Sequence, residues 1–296
     1  MKFLGLIGVF MELVRWKNLL IMASCQALFH FSLLQENTSF NYSEHILFFI
    51  LSFATLFIAA GGYVINDIYD IKCDQINKPN KVYFPKPFSK KFGMRTYAVL
   101  SSIGFLLATC FSLLIEQVLW SLFFTLIIFL LYLYSRLIKS IPLLGNLTIA
   151  FLTACNLLIL LLLPTHSEAP IQLLYTFSFF AFSINLIREM VKDLEDVKGD
   201  YNVGMNTLPI ILGQARSIKF ILLLCGAVSY FFIRFLIDGL KNNYWTQLYF
   251  LSFIIVPYFY FCYQLFYANH SKQFHRLSSL LKWILIFGLL LIILLC

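Results

Sequence analysis

Long apolar runs alternate with short polar breaks along almost the whole chain. Nine runs, near residues 18–34, 45–65, 96–115, 118–135, 143–163, 170–187, 217–237, 245–267 and 278–296, approach the length of a membrane span. About 20 apolar residues cross the hydrocarbon core of a bilayer as a helix. Backbone in lipid must satisfy its own hydrogen bonds, so runs of this length predict helices. The pattern therefore predicts an all-α, polytopic membrane protein. Before the first run, residues 1–14 predict a short amphipathic helix on the membrane surface. Glu12, Arg15 and Lys17 interrupt the apolar start, which shows no small-residue cleavage site and does not read as a signal peptide.

Most breaks are short, but two are not. Segments of about 66–95 and 188–216 are read as acidic connections, and they share a spacing. Asp67, Asp70 and Asp74 form D-x-x-D-x-x-x-D, and Asp193, Asp196 and Asp200 repeat it 126 residues later. Each triplet follows an even-numbered span. This predicts two four-helix repeats plus one helix, with both acidic connections on one side of the membrane, all within a single domain of residues 1–296.

Composition agrees with the pattern. Of the 296 residues, 60% are hydrophobic and only 12% charged, whereas soluble domains carry about 25% charged residues. A soluble fold is excluded, and the 33 Phe and 16 Tyr exclude disorder. The net charge of +8 is a matter of placement. Nearly all Lys and Arg flank the N-terminus and the connections on the side of the acidic triplets, with Arg234 and Lys241 the exceptions. Such a bias places that side, and the N-terminus, in the cytoplasm. Nine spans then put Cys296 on the opposite face of the cell (plasma or inner) membrane. No nucleic-acid-binding module is visible. The seven cysteines are scattered without a CxxC pair, so neither a disulfide framework nor a zinc site is inferred.

The triplets carry the chemistry. Residues three and four apart share a helix face, so each triplet forms a strip of carboxylates, extended by Asn66 in the first and Glu189 in the second. Crowded carboxylates repel unless something neutralises them. Mg²⁺ does so naturally, taking a few carboxylates together with waters and substrate phosphate oxygens. Lys72, Lys78 and Lys81 surround the first strip, and Arg188, Lys192 and Lys198 the second. Carboxylates interleaved with cations fit a metal–diphosphate complex better than a metal alone. A third element, Tyr134-Ser135-Arg136 with Lys139, Gly145 and Asn146, lies between spans four and five. Taken singly, Tyr134 reads as a belt aromatic and Lys139 as a positive-inside anchor.

These residues resemble the UbiA superfamily of intramembrane prenyltransferases. Asn66 to Asp74 matches N-D-x-x-D-x-x-x-D, Asp193, Asp196 and Asp200 match the second signature, and Tyr134 to Lys139 resembles Y-S-x-x-L-K with Ile138 at the usual Leu. The run Arg188 to Asp200 is similar to R-E-x-x-K-D-x-E-D-x-x-G-D of the geranylgeranylglycerol-phosphate geranylgeranyltransferase branch. Thr207-Leu208-Pro209-Ile210, Gly213 and Asp74 to Asn80 continue that likeness. The resemblance implies transfer of a polyprenyl group, geranylgeranyl in that branch, from its diphosphate to a membrane-associated acceptor such as geranylgeranylglycerol phosphate. It implies that Asp67, Asp70, Asp74, Asp193, Asp196 and Asp200 hold Mg²⁺, with Asp67, Asp70, Asp193 and Asp196 as the catalytic carboxylates. Asn66, Lys72, Tyr134, Lys139, Arg188 and Lys192 would meet the diphosphate.

The chain departs from that branch after Asn80. Where the branch reads R-P-[IL]-P-x-G, this chain reads Lys81-Val82-Tyr83-Phe84-Pro85-Lys86-Pro87-Phe88. Lysine is a point charge and not a planar fork, so this segment is where acceptor recognition would differ, and an aromatic acceptor is the alternative within the superfamily. Arg15-Trp16-Lys17-Asn18 echoes an R-P-x-N element, with Arg15 read as a helix anchor before a phosphate contact. From another class, a secondary transporter could also carry repeats and intramembrane acids. Transporters, however, hold ionisable groups near the midplane, and here the acids stand at span ends. A scaffold that had lost the chemistry would be expected to lack Asp70 or Asp193.

Overall fold

The computed structural model describes residues 2–34, 42–79, 82–163, 168–240 and 243–295. Cys296, expected on the far face, Asn80 and Lys81, the first residue of the altered segment, lie outside the described residues. The described residues are helical almost throughout. Among the described residues, eight helical segments are long and apolar enough to cross a membrane, each overlapping a predicted run. The run at 18–34 folds as α2 (Trp16–Phe29), continued by a wide turn over His30–Leu34.

The helices gather into two compact units, one covering Met1–His30, Gln35–Lys139 and Ile159–His166, the other Phe31–Leu34, Ser140–Leu158 and Ser167–Cys296. Each unit carries one acidic triplet.

In the first unit, α1 (Lys2–Leu13) and α2 pack on α3 (Tyr42–Tyr69), which is followed by the short α4 (Ile71–Asn77) and lies against α5 (Lys90–Leu114) and α6 (Leu119–Arg136). The closest of these packings is α3 on α5, and small residues permit it. A Cβ on Gly104 would stand 2.6 Å from Ile58 Cγ1 and 3.0 Å from the Ile58 backbone nitrogen. Ser89 caps α5 by accepting the Phe92 N–H at 3.1 Å.

In the second unit, α7 (Leu144–Leu158) and α13 (Ser271–Leu295) pack on α8 (Glu168–Val203). The short α9 (Leu208–Leu212) leads into α10 (Gln214–Arg234), and α11 (Tyr244–Phe250) joins α12 (Val256–Tyr267) through the turn Leu251–Ile255. Part of the aromatic wealth is interior here. Phe180 meets Phe232 edge-on at 5.1 Å and Phe235 at 5.3 Å, and Phe232 meets Tyr258 at 5.0 Å. Such pairs prefer this edge-to-face geometry. Phe49, Phe53, Phe129 and Phe266 instead face outward, as apolar side chains do on a lipid-facing surface.

The expected acidic connections are corrected in one respect. The sixth span does not end at 187: α8, 36 residues long in all, continues to Val203. Asn66 and Asp67 likewise sit in the last turn of α3 and not in a connection. The reason is local. No Pro or Gly interrupts Arg188–Lys198, and Glu189 bonds Lys192 three residues on, the spacing that supports a helix.

Candidate active site

The first strip is built on a bend. Helix α3 ends at Tyr69, Asp70 adopts φ −85° and ψ −1°, and α4 restarts at Ile71. Two helical hydrogen bonds meet at the bend, Asp70 N–H to Asn66 C=O at 2.9 Å and Asp74 N–H to Asp70 C=O at 2.8 Å. Asn66, Asp70 and Asp74 therefore keep one face. Asp67 is buried.

Asp70 is clamped from two sides. The Asn66 amide donates to Oδ2 at 2.6 Å, and Lys139 forms an ion pair with Oδ1. Lys139 comes from the turn Ile138–Ser140 after α6, 69 residues away in sequence. Two elements quoted separately from the sequence thus meet in one carboxylate. Asp74, on α4, is pushed up to about 6, first by burial and then by the negative charge of Asp70. Lys72 is exposed on α4, and Tyr134 is half-buried near the end of α6.

Asp67 has a partner in Arg15, which the sequence suggested as a helix anchor before a phosphate contact. Arg15 Nη2 donates to Asp67 Oδ1 at 2.8 Å, with its guanidinium 4.8 Å from the centre of the Tyr63 ring. Arg15 holds a left-handed backbone, φ 53° and ψ 50°, between α1 and α2. That region costs a non-glycine residue energy and persists where the surroundings impose it. The echo Arg15 to Asn18 was the available signal.

The second strip lies entirely on α8. Asp193, Asp196 and Asp200 fall on one face, with Glu189 a turn earlier. The Asn146 amide, from α7, donates to Asp193 Oδ2 at 2.8 Å. This repeats the Asn66–Asp70 arrangement, and Asn146 was quoted from the sequence without a role. Arg188 and Lys192 both turn to Glu189, at 3.1 Å and 2.7 Å. Asp200 is buried, and its carbonyl accepts the Met205 N–H at 2.9 Å where α8 ends. On the far side of α8, His275 of α13 bonds Glu195 at 2.9 Å and Ser271 donates to the Glu195 carbonyl at 3.1 Å.

Among the described residues, no three His, Cys, Asp or Glu side chains gather closely enough to hold a metal ion by themselves. Mg²⁺ does not require such a cage. It binds one or two carboxylates and keeps the rest of its shell for waters and phosphate oxygens. The hard oxygen donors at Asp70 and Asp193, each oriented by a neutral amide, fit that demand.

The fold and site define an all-α, multi-pass membrane protein with an amide-oriented acidic strip in each of two units. The profile of the UbiA prenyltransferase family matches residues 27–294. The chain belongs to that family. It is 34% identical over 194 residues to the digeranylgeranylglyceryl phosphate synthase of Sulfolobus acidocaldarius, spanning 62% of this chain and 66% of that relative. A structure solved in work on digeranylgeranylglyceryl phosphate synthase in membranes superposes with a TM-score of 0.64 at 24% identity, covering 97% of each chain. A UbiA homolog from Archaeoglobus fulgidus, bound to GPP and Mg²⁺, superposes with a TM-score of 0.63 at 14% identity, covering 96% of this chain and 99% of that one.

Proposed function

We propose that this protein is a Mg²⁺-dependent prenyltransferase, moving a polyprenyl group (geranylgeranyl by preference) from its diphosphate to geranylgeranylglycerol phosphate. The observation that carries this reading is the repeated clamp, in which an asparagine amide orients an aspartate of each signature, Asn66 on Asp70 and Asn146 on Asp193. Family membership, the named relative and the Mg²⁺-bound homolog support it. In this reading residues 1–296 act as a single domain of nine spans, with Trp16–Leu34 as the first. The N-terminus and both strips are cytoplasmic and the C-terminus lies opposite.

Asp67, Asp70, Asp74, Asp193, Asp196 and Asp200 would hold Mg²⁺, with Asp67, Asp70, Asp193 and Asp196 nearest the chemistry. When bound, the metal neutralises the departing diphosphate, which is otherwise a poor leaving group. The chain's own residues do the rest. Asn66 and Asn146 orient carboxylates, and Lys139 supplies a fixed cation to the developing anion. Tyr134, Lys72, Arg188 and Lys192 add contacts to diphosphate oxygens. Apolar helix walls exclude water, which would otherwise capture an allylic cation.

The test is a membrane assay. Isolated membranes carrying the wild type, Asp70→Ala or Asp193→Ala are given geranylgeranyl diphosphate with geranylgeranylglycerol phosphate or an aromatic acid, and products are read by mass spectrometry. The expected result is one lipid product in the wild type, lost with EDTA and in both variants. Transfer only to the aromatic acid refutes the acceptor. Full activity in both variants refutes the site.

A further inference from the structure

Arg15 keeps a left-handed backbone and reaches a buried carboxylate, so something must hold it there. The residues immediately before it, Leu13 and Val14, are buried at 0% and 7% exposure. They belong to one cluster with Ala60, Val64, Ile71 and Phe84. Phe84 is itself fully buried and comes from the segment where the chain departs from its family's pattern. Its ring fits because position 93 lacks a side chain: a Cβ on Gly93 would lie 2.7 Å from two of the Phe84 ring carbons.

The same segment grips α1 a second time. Phe88 meets Phe10 edge-on at 6.4 Å and stacks on Phe92 at 5.0 Å. The Phe88 N–H donates to the Tyr83 carbonyl at 3.2 Å, closing the segment into a turn. Tyr83 packs on the cluster as well. Phe84 and Phe88 therefore both pack on the end of α1, and Arg15 directly follows the buried pair Leu13 and Val14. Its side chain leaves that anchor to bond Asp67 at 2.8 Å.

We propose that residues Tyr83–Phe88 form a positioning wedge. Through Leu13 and Val14, Phe84 seats the Arg15 guanidinium on Asp67, and this built-in cation sets how strongly the first strip attracts a divalent metal. The inference rests on the metal-binding reading of that strip. A fixed cation on one carboxylate lowers the negative potential at its neighbours, so it opposes a metal that arrives without its anion. When a metal–diphosphate arrives, the same guanidinium is a planar fork suited to phosphate oxygens.

The experiment measures Mn²⁺ binding by electron paramagnetic resonance on purified protein in detergent, without diphosphate. Wild type, Arg15→Gln, Phe84→Ala and the double variant are compared, with Asp67→Ala as the control that locates the ion. The expected result is tighter binding in Arg15→Gln, by at least about 10-fold, as Coulomb's law requires for a divalent ion bound in the same strip as the lost cation at an effective dielectric near 20. A smaller shift of the same sign is expected in Phe84→Ala, and no further shift when Phe84→Ala is added to Arg15→Gln, since residues acting as a unit are non-additive. Should Phe84→Ala not accumulate, Phe88→Ala carries the same expectation. Binding indifferent to Arg15, or a Phe84 effect of equal size in both backgrounds, overturns the wedge alone. No Mn²⁺ binding in either the wild type or Arg15→Gln overturns the metal-binding reading and the wedge with it.

Discussion

The Asn146 side-chain amide donates to Asp193 Oδ2 at 2.8 Å across 47 residues of sequence. An amide in that place orients a carboxylate without neutralising it, leaving its charge for a metal. Partners of this kind typically cost about 10- to 100-fold in metal affinity or activity when removed. Asn146→Ala is expected to raise the Mg²⁺ concentration for half-maximal prenyl transfer by that order. Asn146→Asp, which adds a like charge and loses the donor, is expected to lower kcat further. A Mg²⁺ titration of each variant checks both, and an unchanged Mg²⁺ dependence in Asn146→Ala would remove the residue from the site.

Lys139 plays the opposite part, because it brings charge and not only orientation. Its ion pair with Asp70 places the ammonium in the first strip before substrate arrives. Lys139→Ala is expected to lower kcat by about 10²- to 10³-fold, the cost of losing one preorganised stabiliser of a developing anion. Lys139→Arg keeps the charge but changes its shape, and is expected to retain more activity than the alanine variant. Steady-state kinetics with saturating Mg²⁺ separate the two, since a metal-ligand defect would be partly repaired by metal and loss of the cation would not.

The spans and both carboxylate strips were legible in the sequence because each rests on a period: long apolar runs for the first, and three- and four-residue spacing for the second. What was not legible is which side chains those strips meet. Lys139 and Asp70 are 69 residues apart and Arg15 and Asp67 are 52 apart, and no periodicity links such positions. Arg188 and Lys192 show the same limit from the other direction. They were read as cations for diphosphate oxygens, and in the structure both bond Glu189, a pairing their spacing did not single out. The length of α8 was missed because charge was read as a sign of a connection. A polar run that holds no Pro or Gly from Arg188 to Lys198, with its own i,i+3 ion pair, continues a helix past the apolar boundary.

The close approach of α3 and α5 makes a stability prediction that is independent of catalysis. The Cβ of Gly104→Ala would fall 2.6 Å from Ile58 Cγ1 and 3.1 Å from the Ala54 carbonyl oxygen. A backbone oxygen cannot swing aside as a flexible side chain can, so the helices must separate. Overpacking of this kind costs about 1–3 kcal/mol. Thermal unfolding in detergent is expected to show a lowered Tm for Gly104→Ala. Gly226→Ala, with nothing within 4 Å of the added carbon, is the control and is expected to leave Tm unchanged or slightly raised. Equal Tm values for both variants would contradict the tight α3–α5 contact.

Glu189 offers the sharpest separation of structure from chemistry in the second strip. Its carboxylate is buried and accepts from Arg188 at 3.1 Å and from Lys192 at 2.7 and 3.0 Å. Both cations are partly exposed, so solvent screens much of what the pairs contribute. Glu189→Gln keeps the size and an acceptor oxygen while removing the charge that gathers the two cations. The expected outcome is a small loss of Tm and a clear rise in KM for the prenyl diphosphate. The Mg²⁺ requirement is expected to move little, because Glu189 lies a full turn before Asp193 on α8. Glu189→Ala, which leaves two cations without their shared acceptor, is expected to lose more of both. Steady-state kinetics across a diphosphate and a Mg²⁺ series test this. A shifted Mg²⁺ dependence with an unchanged KM would instead make Glu189 a member of the metal-binding set, extending the carboxylate strip by one turn.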